Sequence, residues 1–543
     1  MSTKESQTIE QATSTVGHTA LPVEGQPNSK TRRYDRQLRL WAASGQSALE
    51  SSRILVISAS ATSTAILKNL VLPGVGHFAL LDPAVVSRAD AGNNFFLNGP
   101  ASIGRSRAEE AVTLLRELND SVSAEAITKD INMLLATDDG RDWVRNFSLV
   151  ITHNLPNDTL DTLSRLLWDD PTGPQLIAVR SAGFLAEFYI QFREHCVSQP
   201  HTDETAPSLR ITRPFPALLQ WARDLDLSAL DPTTHAHIPF VVILVHAVDA
   251  WRAEHGGVLP STYAEKEHFK ETLHARKMKL DEENFDEAEA QAYRVWGEPA
   301  VPPAVASLLA SVSTTSAATS PLNVGFHALL GTLDAFVKDP RGPGCLPLSS
   351  ALPDMKTDTT SYVRLQSLYR DWARIEKARF TEILKEKFPE IAPDVDSEEL
   401  DTFVKNAHHI RVLRGRRWGT WDEERKFTSS LESSPRETAT HLSLAALSTL
   451  LSQDPDPLSV TAEGLTKEVQ ALVGAGVDLP KEVEDAVGEL ARAPTADLPN
   501  TAAFVGGLVA QEAIKLITRQ YVPTNGYCVV DLVDSWTGVV GAP

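Results

Sequence analysis

Short apolar runs alternate with amphipathic segments in the first part of the chain. The apolar runs predict buried strands at residues 53–58, 78–82, 149–152 and 175–180. Helical spacing of apolar positions predicts helices between them, at residues 64–72, 107–119 and 160–168. Strands and helices that alternate at these lengths predict a parallel, doubly wound sheet. Residues 186–193 then alternate between polar and apolar, which predicts a half-exposed antiparallel strand.

The pattern changes after about residue 200. Residues 240–251, 326–338, 360–388 and 439–451 have helical spacing of apolar positions, which predicts a mainly α-helical block. A helix at 501–517, in which Gly506 and Gly507 permit close packing, and a strand at 527–532 follow it. Because these two elements are of α/β type, we predict that they rejoin the first domain. The expected organisation is a disordered tail at 1–30, a first domain at 31–200, a helical insertion at 201–494 and a return at 495–543.

Composition narrows the classes of partner and the cellular setting. The net charge is −20, from 71 acidic and 51 basic residues, which argues against nucleic acid or an anionic membrane as the main partner. No apolar run approaches the ~20 residues that span a bilayer, and residues 1–30 contain no apolar core of a signal peptide. The cysteines Cys196, Cys345 and Cys528 form no C-x-x-C pair, so neither a disulfide framework nor a zinc site is expected. A cytoplasmic or nuclear location, or both, is expected.

The turn after the first predicted strand lacks the glycines of a nucleotide site. A dinucleotide fingerprint places Gly-x-Gly-x-x-Gly there, so that backbone N–H groups approach phosphate at the helix N-terminus. This chain has Ser58, Ser60 and Ser63 at those positions, and Asp82 ends the next strand. Each serine adds a side chain where phosphate would approach, although Ser60 or Thr62 can cap the helix. The segment therefore predicts a nucleotide-binding fold with a degenerate site.

Motifs spread over nearly the whole chain carry a family resemblance. They are YDRQLRLW at 34–41, LKNLVLPGVG at 67–76, DAGNNFFL at 90–97, LPL at 346–348 with LPDM at 352–355, and GGLVAQE at 506–512. Together they resemble the activating enzymes of ubiquitin-like modifiers, and among these the regulatory subunits of the heterodimeric activating enzyme of neddylation. The resemblance implies a Rossmann-like pseudo-adenylation domain that is split by a large helical insertion, without the catalytic cysteine.

This chain departs from the active subunits of the family at residues that would bind ATP and Mg²⁺. An active subunit has an arginine that grips triphosphate where this chain has Asn93-Asn-Phe-Phe-Leu97, and a magnesium-binding aspartate where this chain has Thr152-His-Asn154. The resemblance thus implies that this chain binds no cofactor and no metal, and that ATP and Mg²⁺ belong to the partner subunit. Charge stabilisation dominates phosphoryl chemistry, so several such losses together predict no useful adenylation site.

The resemblance also implies residues that act on the partner. Arg36 stands where the family has an arginine that reaches into the partner's ATP site, like an arginine finger. The alternative is that Arg36 pairs with a surface acid such as Asp35. Predicted partner contacts are Trp41, Phe95, Phe96, Leu346, Leu352 and Met355. The alternatives are that Phe95 and Phe96 are core residues and that the segment around Leu346 folds onto its own helical domain.

The resulting hypothesis is a catalytically silent subunit. With an adenylating, cysteine-bearing partner it would support the ATP-dependent adenylation and thioester formation of a Nedd/Rub-type modifier. The alternatives are a non-catalytic interaction scaffold and an independent nucleotide-dependent enzyme with a degenerate loop. Cys345 lies in a Gly/Pro loop without an activating base and is expected to be inert. His235 and His237 lack further ligands at metal spacing, so solvated or capping roles are expected.

Overall fold

A computed structural model of the protein describes residues 29–199, 208–312, 323–425 and 427–542. The chain divides into two compact units, of which the first comprises Met1–Val197 with Val412–Pro543 and the second comprises Ser198–Arg411. The predicted disordered tail lies outside the described residues, except for its last two positions, which begin the helix Ser29–Arg33.

An eight-stranded sheet forms the centre of the first unit, with the strand order β10-β9-β6-β5-β4-β1-β2-β3. Pairing is parallel from β3 to β5 and antiparallel from β5 to β10. This arrangement confirms the predicted Rossmann-like sheet and its antiparallel continuation. The expected half-exposure of the antiparallel strand is wrong, because Leu185–Gln191 is buried along its whole length and its residues join the apolar cores on both faces of the sheet. The strands are β1 Arg53–Ile57, β2 His77–Leu81, β3 Ser123–Ile127, β4 Leu149–His153, β5 Gln175–Ala182, β6 Leu185–Gln191, β7 Glu194–Val197, β8 Arg411–Arg414, β9 Tyr527–Asp531 and β10 Trp536–Val540. A separate two-stranded sheet pairs β7 with β8.

Helices cover both faces of this sheet, which explains why its central strands are mainly apolar. Successive residues of β1 point to opposite faces, so Ile54 and Val56 join one apolar core while Leu55 and Ile57 join the other. The α-helices of the first unit are Ser29–Arg33, Asp35–Ser51, Ala61–Val71, Arg88–Asn93, Arg107–Arg116, Ile131–Leu135, Asp138–Arg145, Asn157–Asp169, Thr420–Glu424, Phe427–Ser433, Pro435–Gln453, Ala462–Val473, Lys481–Arg492 and Pro499–Thr518.

The helix Pro499–Thr518, called here the returning helix, packs closely against Ala61–Val71, called here the first crossover helix. A Cβ atom on Gly506 would lie 2.7 Å from Cβ of Ala65, so only glycine permits this approach. The prediction that the last segment rejoins the first domain is therefore confirmed. The returning helix is also long and apolar enough to cross a membrane, but core helices meet the same criterion and half of its apolar window is buried here.

The predicted end of the helical insertion at residue 494 is wrong. The second unit ends at Arg411, and the helices from Thr420 to Arg492 belong to the first unit. Their apolar residues, among them Leu442 and Val483, share a core with strand residues such as Leu176. Helical spacing identifies an apolar face but does not say which core that face joins, so the sequence pattern assigned these helices to the preceding block.

A buried charged cluster also fixes these helices to the sheet. His441 Nδ1 lies 2.8 Å from a Glu187 carboxylate oxygen on β6, and His441 Nε2 lies 2.7 Å from Asp422. The Tyr527 hydroxyl donates to the same Asp422 carboxylate at 2.9 Å. Burial alone would lower the pKa of His441, but Glu187 and Asp422 raise it to about 9. His441 is therefore held as a cation between two carboxylates.

The second unit is mainly helical, as the sequence predicts. Its core surrounds the apolar helix Phe240–Glu254 and includes Leu218, Phe269 and Tyr369. The α-helices are Pro216–Arg223, Pro232–His235, Phe240–Glu254, Tyr263–His274, Glu283–Ala290, Pro303–Val312, Val324–Lys338, Thr359–Lys387 and Ser397–Lys405.

Candidate functional site

The turn between β1 and the first crossover helix keeps the shape of a glycine turn. Ser58 adopts a φ of +84°, a conformation that side chains disfavour and that glycine adopts readily. Ser60 caps the helix, because its hydroxyl accepts a hydrogen bond from the Ser63 N–H at 3.0 Å. Ser63 is fully buried and is absent from the cavity wall described below, so only Ser58 and Ser60 add side chains there. The expected crowding by Ser63 is wrong.

Asp82, at the end of β2, is already saturated with partners from its own chain. Its carboxylate accepts from the Ala59 N–H at 2.6 Å and from the Ala84 N–H at 2.8 Å. Arg107 donates to it at 2.7 Å through Nε and also pairs with Asp90 at 3.1 Å. Asp82 is 2% exposed. This acid therefore has little capacity left for a ligand hydroxyl.

A second carboxylate sits at the N-terminus of the first crossover helix. Asp497 accepts from the Thr62 hydroxyl at 2.6 Å and from the Thr62 N–H at 3.2 Å. Helix N-termini attract anions because their N–H groups lack partners within the helix and carry a partial positive charge. Asp497 thus occupies the kind of position that phosphate takes in nucleotide sites.

A cavity of about 370 Å³ opens beside this turn. One part of its wall is apolar and the other is polar. The wall residues are Ser58, Ser60, Asp90, Arg107, His153, Asn154, Leu155, Pro156, Arg180, Ser181, Leu444, Leu447, Ser448, Leu451, Ser452, Pro494, Thr495 and Asp497. His153 is 2% exposed, and its Nε2 lies 2.8 Å from the Ser181 hydroxyl. Burial lowers the pKa of His153, so the ring is neutral at pH 7.

In each of the two segments that replace the triphosphate arginine and the magnesium aspartate, one asparagine is hydrogen-bonded within the chain. Asn94 accepts from the Thr64 hydroxyl at 2.9 Å and is buried. Asn154 bonds to the backbone of Ser181 through both ends of its amide, at 2.8 and 2.9 Å. Neither side chain offers a charge to a phosphate or a metal ion.

Sequence reasoning missed two arginines in the cavity wall. Arg107 is neutralised by Asp82 and Asp90, and Arg180 lies 3.2 Å from Glu187 in an ion pair that is almost fully buried. The signal for Arg107 was a basic residue at the start of a predicted helix, a position that anions and acids normally favour. Asp497 gave no local signal, because its partner Thr62 lies far away in the sequence.

Arg36 lies on the exposed face of the helix Asp35–Ser51. Asp35, its predicted alternative partner, instead pairs with Arg39 at 3.1 Å. Among the described residues, no side-chain hydrogen bond or ion pair involves Arg36. The guanidinium of Arg36 therefore remains available to a group outside this chain.

The aromatic residues predicted as partner contacts divide by exposure. Phe95 is 82% exposed. Phe96 is partly buried against the apolar core of the first unit. Trp41 is 9% exposed and its indole N–H donates to Gln46 at 3.1 Å, so its prediction as a contact is wrong. Only Phe95 retains the exposure that a large contact residue needs.

The predicted docking strip is folded onto the second unit. Leu346 is 1% exposed, and Leu352 and Met355 pack, partly buried, against the core around the helix Phe240–Glu254. Leu346 as a partner contact is therefore wrong, and Leu352 with Met355 does not form an exposed strip. The prolines beside these residues hold the chain extended. An extended apolar segment can pack into a groove of its own unit as well as onto the surface of a partner.

The remaining candidates have structural roles. All three cysteines are buried and none forms a disulfide, and burial raises the pKa of the Cys345 thiol, which fits an inert residue. His235 is fully buried and lies 2.9 Å from Glu282, so its prediction as a solvated or capping residue is wrong. His274, Asp286 and Glu289 lie close enough to share a metal ion, but Lys277 already pairs with Asp286.

Comparisons with known proteins agree with this geometry. Residues 34–155 match the family model described as the ThiF family, which fits the turn, the sheet and the crossover helices. The NEDD8-activating enzyme E1 regulatory subunit of Xenopus laevis is 33% identical over 525 residues, covering 91% of this chain and 96% of that protein. The subunit of Danio rerio is 32% identical, covering 92% and 96%, and the AXL subunit of Arabidopsis thaliana is 31% identical, covering 92% and 97%.

The fold and the relatives together place the chain in a protein family. The fold places the chain among ThiF-type Rossmann proteins. The chain belongs to the family of NEDD8-activating enzyme E1 regulatory subunits, since the likeness extends over nearly its full length. A crystal structure of PaaA is 13% identical in sequence and aligns with 35% of this chain and 59% of that protein, at a TM-score of 0.28.

Proposed function

We propose that this chain is the non-catalytic subunit of a heterodimeric enzyme that activates a NEDD8 or Rub-type modifier. In this proposal the partner subunit holds ATP, Mg²⁺ and the cysteine that forms the thioester. The proposal rests mainly on the turn beside the chain's own cavity. There the carboxylates of Asp82 and Asp497 already accept hydrogen bonds from Ala59 and Thr62.

The charges in the cavity disfavour a triphosphate. Asp82, Asp90 and Asp497 face the turn or the cavity, while Arg107 is held by two of them. A triphosphate would meet carboxylates at the helix N-terminus and would have to displace Arg107 from its ion pairs. Adenylation needs charge neutralisation and metal positioning at the reacting phosphate, and these residues provide neither.

Titration calorimetry of the purified chain with ATP and Mg²⁺ tests this part of the proposal. We expect no binding at ATP concentrations up to about 1 mM, the upper range of ordinary substrate affinities. Micromolar, magnesium-dependent binding would contradict a silent subunit and would favour an independent nucleotide-dependent enzyme.

We further propose that Arg36 acts in the ATP site of the partner. Its exposure and its lack of a partner among the described side chains support this role. A guanidinium supplied from a second subunit can neutralise phosphate charge, as arginine fingers do. Leu40 lies one helical turn after Arg36 and is 52% exposed, so it can anchor this helix against the partner.

The Arg36 proposal is tested by ATP–pyrophosphate exchange in the assembled heterodimer at saturating modifier. Arg36→Ala should slow exchange without preventing assembly. The arginine finger of a GTPase accelerates its reaction by roughly 10³-fold or more. We expect a smaller effect here, because adenylation sites have cations of their own. Arg36→Lys should rescue only part of the rate, since an ammonium lacks the planar fork. Arg39→Ala is the matched control, because Arg39 already pairs with Asp35. Unchanged exchange in an intact Arg36→Ala heterodimer would make Arg36 a surface residue only.

Phe95 is the proposed aromatic contact to the adenylating subunit. A side chain this large and this exposed is typical of an interface anchor, and aromatic residues are enriched among such anchors. We also propose a cytoplasmic or nuclear location, or both, which is supported by three cysteines that form no disulfide.

A further inference from the structure

Asp497 lies in the connection that leads into the returning helix, and its position is firmly held. The Gly183 N–H donates to the Ala496 carbonyl at 2.9 Å, and the Thr501 hydroxyl donates to the Gly183 carbonyl at 2.8 Å. The backbone is thus fixed to the β5–β6 turn on both sides of Asp497. Its carboxylate reaches the helix N-terminus from this fixed segment, 435 residues along the chain from Thr62.

The turn that Asp497 closes otherwise retains features of an anion site. Ser58 keeps the glycine-like backbone, and the first crossover helix has 11 residues, so its N-terminus carries an appreciable partial charge. Arg107 and its partner Asp90 line the same cavity, and Arg107 also pairs with Asp82.

His153 gives an independent indication of a ligand site. It lines the same cavity and is 2% exposed, yet its Nδ1 has no hydrogen-bond partner among the described residues. A polar atom so deeply buried is normally paired, so an unpaired one in a cavity wall indicates room for a polar ligand.

We propose that the Asp497 carboxylate is a built-in substitute for phosphate, and that its removal uncovers a site for inorganic phosphate or pyrophosphate. This inference rests on the proposed function, in which the cavity of the intact chain binds no nucleotide. Asp497 satisfies the helix N-terminus and joins the returning segment to the first half of the domain. The fold is thereby completed without a bound nucleotide.

Removing Asp497 should convert this closed turn into an anion site. The full-length variant Asp497→Ala should gain thermal stability in inorganic phosphate, relative to chloride at equal ionic strength. The shift should reach about 3 °C at a tenfold excess over the dissociation constant and should keep rising with the logarithm of the phosphate concentration. The unaltered chain should shift by less than about 1 °C in the same titration, because its own carboxylate excludes the anion.

Asp485→Ala is the matched control. Asp485 is exposed on the helix Lys481–Arg492 and lies outside the cavity, so this variant removes the same charge without opening the turn. It should respond to phosphate like the unaltered chain. Asp497→Ser carries the same test if the alanine variant does not fold, because serine is small and polar and has no charge.

Two results would overturn the inference. One is a folded Asp497→Ala or Asp497→Ser chain that shows no phosphate response up to tens of millimolar, well above typical ligand affinities. The other is an equal response in the unaltered chain or in Asp485→Ala. The proposed function fails separately, if the unaltered chain binds ATP tightly.

Discussion

Gly506 and Gly507 provide a matched pair for testing how the returning helix packs. A Cβ atom on Gly506 would lie 2.7 Å from Cβ of Ala65, 2.9 Å from its carbonyl carbon and 3.1 Å from the Ile66 nitrogen. Two of these atoms are backbone, so no side-chain rotation can relieve the contact. A Cβ on Gly507 meets nothing within 4 Å. The two substitutions to alanine therefore differ in packing and share the same helical context.

The expected magnitudes follow from two opposing effects. Alanine is favoured over glycine in a helix interior by about 1 kcal/mol, so Gly507→Ala should stabilise the chain by up to that amount. Gly506→Ala gains the same propensity, but it must push two packed helices apart, and overpacking costs about 1–3 kcal/mol. Gly506→Ala should thus range from neutral to about 2 kcal/mol destabilising, and the two variants should differ by about 1–3 kcal/mol.

Urea unfolding of the full chain, followed by far-UV circular dichroism, measures this difference. The midpoint for Gly506→Ala should lie below that for Gly507→Ala, with an unchanged slope in the transition that reports the first unit. Equal stabilisation by both alanines would refute the close approach of the two helices. It would also remove the physical reason for a glycine at position 506.

Further predictions concern the buried cluster and the exposed contacts. Because the folded-state pKa of His441 is raised to about 9, its contribution to stability is fully present below the unfolded value near 6.5 and is lost as pH rises through about 9. The free energy of unfolding should therefore fall from pH 6.5 to 9, and His441→Gln should abolish that dependence. Leu346→Asp should unfold the second unit in circular dichroism, whereas Leu280→Asp, at a position 90% exposed, should not. Phe95→Asp should weaken co-elution with the adenylating subunit in gel filtration. The control Leu458→Asp, at a site 88% exposed, should leave co-elution intact. Equal weakening by both substitutions would argue against Phe95 as a contact.

Local pattern was sufficient to predict much of the first unit. The apolar run of β1, the serine turn and the helix Ala61–Val71 follow from residue spacing alone. The returning helix was also predictable, because its glycines and its α/β neighbours contrast with the block before it. The short strands Ser123–Ile127 and Trp536–Val540 were missed, since neither is a fully buried apolar run.

Most of the structural features that the sequence did not reveal depend on tertiary contacts between distant segments. The helices from Thr420 to Arg492 have apolar faces, but only the fold shows that these faces meet the sheet. Leu346 is equally apolar whether it is buried within its own unit or at an interface, so the sequence could not distinguish these two positions.

Those parts of the candidate site that depend on a local motif were predictable, and those that depend on long-range contacts were not. The missing glycines and the absence of charge at Asn94 and Asn154 are visible in the sequence, because they are departures from a local motif. Asp497 and Arg180 act through contacts that only the folded chain creates. Likewise, only the fold shows that Asp35 pairs with Arg39 and not with Arg36.

Thioester formation with purified components tests the central claim most directly. The adenylating subunit, the NEDD8 or Rub-type modifier, ATP and Mg²⁺ are combined with and without this chain, and the products are separated with and without reductant. We expect a reductant-sensitive modifier conjugate on the partner that depends on this chain, and none on this chain itself. Equal conjugate formation by the partner alone, or a thioester on this chain, would contradict the role of a non-catalytic subunit.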